Sequence, residues 1–340
     1  MSQSPQPIFQ LMRPGAMGDL LMCTAVLPAL KARGYFVRFV AHPKFAEVLD
    51  NHPLIDELVT LKEGTRQTMI DATSHLAPAD KYIYLYYPYY AKRDLPGHAI
   101  PIHLAHHYCN TVDVPVSDQL SIHLSEEQET WGKQHVDKIL IHTTTMWSPY
   151  KNWPIDRWQA LADRIEAELG IPVYQIGIDK DTQLAGDRLL PSPSIQHAIA
   201  ALKHCRLFIG LDSVFNHASR AVNKPSIILW GSTHPHALGY RQNLNLVNGI
   251  VWQPIMGNDG PSLTCQPCYR EYSGPGNNNN QRTCPYTQPY PIHALPEKMH
   301  ANKELNACMA SQSVDMVFHH VTQMLDNPAY VGSHQLPPCN

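Results

Sequence analysis

An α/β fold of two doubly wound, Rossmann-like domains facing each other across a cleft is predicted by three features of the sequence. Apolar, strand-like runs alternate with helix-period stripes up to Leu61, and the same alternation returns from Lys138 onward. A polar, helix-prone segment, Glu126–His135, separates the two series. A chain of 340 residues also exceeds what one hydrophobic core usually serves, and a hydrophobic content of 44% supplies material for two.

In the first half, Gln6–Met12 reads as a strand. Leu20, Cys23, Leu27 and Leu30 recur every three or four residues and lead to Gly34, a helix with a glycine at its C-terminus; Pro28 inside it predicts a late start or a kink. Phe36–Ala41 is a second strand, Lys44–Asn51 a short helix and Glu57–Leu61 a third strand. Between Thr65 and Ser125 the pattern is weaker. There Lys81–Tyr90 reads as core strand and edge loop, and His98, His103, His106 and His107, which lack metal-ligand spacing, read as solvated or substrate-facing. In the second half, Lys138–His142, Val173–Ile176, Leu207–Gly210 and Ser226–Trp230 are strands. Trp158, Leu161, Ile165 and Leu169 form the stripe of a helix closed by Gly170, Gly274–Asn280 is an exposed loop, and Val314–Leu325 is a terminal helix. The expected division is residues 1–135, a first domain; 136–326, a second domain with a cysteine-rich insertion; and 327–340, a loose tail. Two such domains across a cleft make the GT-B architecture.

Composition narrows the function. The formal charge is −3 and no Lys/Arg-rich block follows a phosphate backbone, which disfavours nucleic acid as a general partner. No apolar run approaches the ~20 residues of a membrane span, and the first residues lack a secretory pattern. A cytoplasmic protein without integral membrane contact is expected, in which the eight cysteines serve as thiols or metal ligands rather than disulfides.

Chemistry-bearing residues gather where strands run into helices. Gly15-Ala16-Met17-Gly18-Asp19 follows the first strand, so Met17 and Gly18 form a ligand-side loop. Asp19 reads either as a helix cap or as a carboxylate able to take a proton from an attacking hydroxyl. Thr143, Thr144 and Thr145, followed by Lys151-Asn152-Trp153-Pro154, offer hydroxyls and an ammonium to a diphosphate at another such junction, where Lys151 also reads as a surface lysine beside a helix start. Asp212 and Ser213 read as caps or as sugar and phosphate ligands with the N–H groups of Val214 and Phe215; His217 follows, and Thr233 ends the next strand on the same edge. Cys265-x2-Cys268, Cys284 and Cys308 read as a four-sulfur site for structural zinc or iron, or as four reduced thiols; a catalytic metal is not expected, because four thiolates leave no open position.

Five motifs in order, from about Phe9 to Leu325, resemble glycosyltransferase family 9, the heptosyltransferases. They are the Met17–Lys31 stretch, the Lys151-x-Trp153-Pro154 turn, the Asp212-Ser213-x-x-x-His217 strand end, Trp230-Gly231-Ser232-Thr233, and Cys308-Met309 before the last helix. The resemblance implies a GT-B fold, with residues 1–135 as the acceptor-side domain and 136–326 as the nucleotide-sugar-binding domain, an ADP-heptose donor and Asp19 as base. It implies that Lys151 and Thr143 to Thr145 contact the donor phosphates, that Asp212 to His217 hold sugar and diphosphate, and that Asp179 or Asp181 binds the ribose. The late cysteines resemble the iron site of some protein-modifying members. Val214 stands where the family usually has glycine. The expected function is inverting transfer of a heptose or related sugar from a nucleotide diphosphate to an acceptor hydroxyl on a lipopolysaccharide core, a protein or a modified nucleic acid. Its rivals are a non-catalytic sugar-nucleotide-binding or sensing protein that kept the cleft, and an epimerase of the same fold.

Overall fold

Every strand of the first sheet runs the same way, which the helices between them make possible. The computed structural model describes residues 6–62, 66–86, 102–145, 148–252, 287–291, 304–327 and 330–333. The first half runs β1 (Ile8–Met12), α1 (Met17–Cys23), α2 (Leu27–Ala32), β2 (Phe36–Ala41), α3 (Pro43–Ala46), β3 (Glu57–Thr60), α4 (Arg66–Ala72), β4 (Lys81–Tyr84) and α5 (Leu104–Val112). Its parallel sheet has the order β3-β2-β1-β4. The expected first helix is two helices joined by a 3-10 turn, Thr24–Val26, and Pro28 lies in the first turn of the second, where its missing N–H costs nothing. The expected Lys44–Asn51 helix is likewise divided into α3 and a 3-10 turn, Glu47–Leu49.

The second half runs α6 (Glu126–Gly132), β5 (Ile139–Ile141), α7 (Ile155–Leu169), β6 (Val173–Gln175), α8 (Ile195–His204), β7 (Leu207–Leu211), α9 (Val214–Ala221), β8 (Ser226–Trp230), α10 (Pro235–Leu238), β9 (Leu244–Val247) and β10 (Ile250–Trp252). It ends with β11 (Thr287–Pro289), β12 (Glu304–Asn306), α11 (Ala307–Ala310), α12 (Val314–Asp326) and α13 (Tyr330–Ser333). The second sheet has the order β10-β9-β8-β7-β5-β6, parallel except at β10. Trp158, Leu161 and Ile165 of α7 are buried as their spacing requires, and Gly170 closes the helix at φ 65°, a left-handed cap suited to glycine. No helix among the described residues is long and apolar enough to cross a membrane.

Three expectations change. The stretch after α12 is not loose throughout, because α13 buries Val331 and its Tyr330 hydroxyl meets His320 Nδ1 at 2.9 Å. His103 is buried rather than solvated and caps α5 through its Nδ1, which accepts the Ala105 N–H at 3.2 Å; His98 lies outside the described residues. α6, taken with the first half, packs on α8 of the second.

That last contact is close enough to test. A Cβ built on Gly132 would stand 2.6 Å from the backbone of Ala200, which cannot swing aside. Helix propensity favours alanine over glycine by ~1 kcal/mol, whereas overpacking costs ~1–3 kcal/mol, so the contact decides the sign. Gly132→Ala is expected to lower stability in denaturant unfolding despite alanine's better propensity.

Candidate active site between the two sheets

The loop edges of the two sheets meet through α1 and α9, which pack together, and one apolar cluster runs from Leu20 and Leu21 across to Phe215 and Ala218. The approach is tightest at Gly18, where a Cβ would lie 2.5 Å from His217 Cδ2. Glycine here admits the helix N-terminus of one unit to the other.

On the first unit, Asp19 is the third residue of α1. Its Oδ2 accepts the Ala16 N–H at 3.2 Å and pairs with Arg13, whose other amino group donates to the Leu85 carbonyl at 3.1 Å. Arg13 is buried, while the Asp19 side chain keeps 20% exposure. Burial works against the guanidinium charge, but Asp19 outweighs it and holds Arg13 above its ordinary pKa. Asp19 is therefore a capping group that also pairs with Arg13 and stays partly exposed.

On the second unit, Lys151 Nζ donates to Asp212 Oδ2 at 2.7 Å, and the same oxygen accepts the Thr233 hydroxyl at 2.7 Å. All three side chains are buried. The Lys151 turn fits because of Gly231, where a Cβ would meet the Tyr150 carbonyl oxygen at 2.1 Å. Ser213 caps α9, its Oγ accepting the Phe215 N–H at 3.3 Å, and lies 3.1 Å from His142 Nδ1. Burial pushes His142 down to about 3, so the ring is neutral at ordinary pH. Val214 opens α9 in helical conformation, which any L residue adopts, so no glycine-only backbone shape is demanded there.

His217 joins the two sets. Its Nδ1 is 2.7 Å from the Tyr240 hydroxyl, and its Nε2 is 4.0 Å from Asp212 Oδ1. Burial lowers the His217 pKa although Asp212 and Asp19 oppose it, and burial holds Tyr240 well above its ordinary pKa. A protonated phenol donating to Nδ1 leaves the ring proton on Nε2, the nitrogen nearest Asp212 and Gly18.

Other expected residues are bonded within the chain. Thr143 Oγ1 donates to the Thr182 carbonyl at 2.7 Å and Thr144 Oγ1 accepts the Thr182 N–H at 2.9 Å, so both hydroxyls hold the chain's own turn. The Thr145 N–H bonds Asn152 Oδ1 at 2.8 Å and thereby shapes the Lys151 turn. Asp181 is buried, accepting the Ile178 N–H at 2.9 Å with His142 Nε2 at 3.8 Å, while Asp179 is exposed. Cys265, Cys268 and Cys284 lie outside the described residues; Cys308 is buried in α11, and no metal-binding cluster occurs among the described residues. Sequence reasoning missed Arg13, His142 and Tyr240. The only signal for Arg13 was a lone cation at the end of β1, and Tyr240 had none.

Two α/β units with their loop edges opposed in this way define a GT-B fold. The structure is similar to the glycosyl transferase family 9 protein of Veillonella parvula, with TM-score 0.58, 20% identity, and coverage of 72% of this chain and 88% of that one. It is similar to the E. coli ADP-heptose LPS heptosyltransferase II, with TM-score 0.56, 17% identity, and coverage of 71% and 90%. It also resembles the iron-containing dodecameric glycosyltransferase TibC of enterotoxigenic E. coli, with TM-score 0.58, 13% identity, and coverage of 95% and 78%. Among curated proteins none matches the chain. At these identities the structural likeness shows the fold. Residues 101–256, which include the Lys151 turn and the Asp212–His217 strand end, match the model of glycosyltransferase family 9 (heptosyltransferase). The protein is a glycosyltransferase, and the resemblance read from its motifs holds.

Removing one member of a buried ion pair leaves the other charge uncompensated, at a cost of ~3–5 kcal/mol. Lys151→Met and Asp212→Asn are each expected to lower stability by that order. The double variant should lose clearly less than the sum, a difference a double-mutant cycle of denaturant unfolding measures.

Proposed function

We propose that the protein is an inverting glycosyltransferase that moves a heptose or related sugar from a nucleoside diphosphate donor, ADP-heptose first among candidates, to an acceptor hydroxyl. The observation that carries this reading is the buried Lys151–Asp212–Thr233 cluster beside the N-terminus of α9, with Asp19 across the cleft on α1. A diphosphate suits the second unit, where the Lys151 ammonium, the N-terminal end of α9 and the Nε2–H of His217 lie around Asp212. These groups meet charge that grows on the leaving diphosphate as the glycosidic bond breaks.

Asp19 takes the proton of the acceptor hydroxyl as its oxygen attacks the anomeric carbon from the opposite face, which inverts configuration in one step. Arg13 keeps the carboxylate aimed into the cleft. The name of the E. coli ADP-heptose LPS heptosyltransferase II supports ADP-heptose as donor. The acceptor is a glycan core, a protein or a modified nucleic acid, and the reaction belongs in the cytoplasm.

A structural zinc or iron on Cys265, Cys268, Cys284 and Cys308 is part of the same proposal, and the iron-containing character of TibC supports it. Cys308 Sγ has the Asn306 amide nitrogen 2.8 Å away, the kind of outer donor that supports a thiolate ligand. The metal would anchor the cysteine-rich segment and take no part in bond breaking, with Lys151 and α9 serving the diphosphate.

Asp19→Asn is expected to cut transfer by at least ~10²-fold while ADP affinity stays within a few-fold, because an amide of the same size cannot act as base. Transfer from ADP-heptose, followed by mass spectrometry of the product, would reject the base assignment if turnover stayed near normal. The purified protein is expected to carry about one equivalent of zinc or iron, lost in Cys268→Ser together with several degrees of melting temperature and retained in Cys109→Ser. Elemental analysis and thermal unfolding decide that point.

A further inference from the structure

The late cysteine segment and the donor lysine are joined by one side chain. The Asn306 amide nitrogen donates to the Tyr150 carbonyl at 2.9 Å and lies 2.8 Å from Cys308 Sγ, and Asn306 is 1% exposed. A primary amide has two N–H groups, and the two contacts take one each. The Tyr150 carbonyl can only accept, which fixes which end of the amide faces it. Asn306 Oδ1 is buried with no partner among the described residues, so the amide is held for its donors.

What Asn306 grips is the 3-10 turn Pro149–Lys151, whose last residue is Lys151. The same turn meets the end of β8, where the Ser232 N–H donates to the Tyr150 carbonyl at 3.2 Å. Beside it, Trp153 Nε1 donates to the Gln312 carbonyl at 2.9 Å and Gln312 Nε2 donates to the Trp230 carbonyl at 3.0 Å. The segment carrying Cys308 is thus stitched under the turn that aims Lys151 at Asp212.

We propose that Asn306 is a positioning residue that couples Cys308 to Lys151, so that the state of the cysteine segment sets the grip on the donor diphosphate. A 3-10 turn has few hydrogen bonds of its own, and its side chain can be aimed only as well as its carbonyls are held. Coupling of this kind is reciprocal: a ligand that orders the Lys151 turn must also steady Cys308. The proposal rests on Lys151 serving the diphosphate, and its test separates the two ideas.

Hydrogen exchange of ligand-free Asn306→Leu is expected to accelerate ~10-fold in residues 148–153 while the β7 amides, 207–211, keep native rates. Asn306→Ser, which avoids the bulk of leucine, should do the same. ADP affinity should fall at least ~5-fold in either variant, with no further fall when the change is made in Lys151→Met. In the native protein, ADP should slow alkylation of Cys308, and that protection should vanish in Asn306→Leu. Native exchange rates at 148–153, or acceleration spread equally over 207–211, would overturn the coupling. If ADP fails to bind the native protein, the diphosphate reading of Lys151 falls, and the exchange arm alone then decides whether Asn306 holds the turn.

Discussion

The contact of α1 with α9 is the constraint on which the site depends. Only a residue without a Cβ lets the first turn of α1 reach His217, and that approach sets Asp19 on the same cleft as Lys151 and Asp212. Side chains at a packed helix crossing normally hold axes 8–10 Å apart, so a glycine at the crossing sets how near the two helix starts can come. The apolar cluster beneath, from Leu20 to Ala218, gives the contact a dry floor. Water excluded there strengthens every charge interaction above it.

The charges of the cleft are held in pairs before any ligand arrives. Arg13 meets Asp19 on one side, and Lys151 meets Asp212 on the other. Burying an unpaired ion costs several kcal/mol, so a resting enzyme that must keep a carboxylate and an ammonium under cover gives each a partner. The histidines follow a different course. His142 and His217 lose affinity for a proton through burial and act as neutral hydrogen-bonding rings. The ammonium paired with Asp212 is then that of Lys151, beside the start of α9.

Hydroxyls near the site have partners within the chain. Thr143 and Thr144 sit on the loop edge where a phosphate ligand is expected, yet they hold the Thr182 backbone, with Gln175 Nε2 donating to Thr143 Oγ1 at 3.1 Å. Their place matches the family's motif, and in the ligand-free chain they brace the Thr182 turn, next to Asp181, which lies 3.8 Å from His142 Nε2. Lys151 shows the converse, since a residue readable as a surface lysine is buried and aimed.

The sequence by itself determined the α/β class, the strands Phe36–Ala41 and Ser226–Trp230 to the residue, the glycine stop of α7 and the strand ends that carry Asp19, Lys151 and Asp212. Those are local properties, since periodicity, caps and turn residues act over a few neighbours. It left open whether Asp19 caps or reacts, whether Asp212 caps a helix or binds a sugar, and whether the late cysteines hold a metal or stay as thiols. The tertiary structure decided the pairings, because the partners stand far apart in the chain: 61 positions between Lys151 and Asp212, 71 between His142 and Ser213, 156 between Tyr150 and Asn306. A hydrogen bond depends on distance and angle in space, and residue type and spacing along a chain carry neither across a sheet.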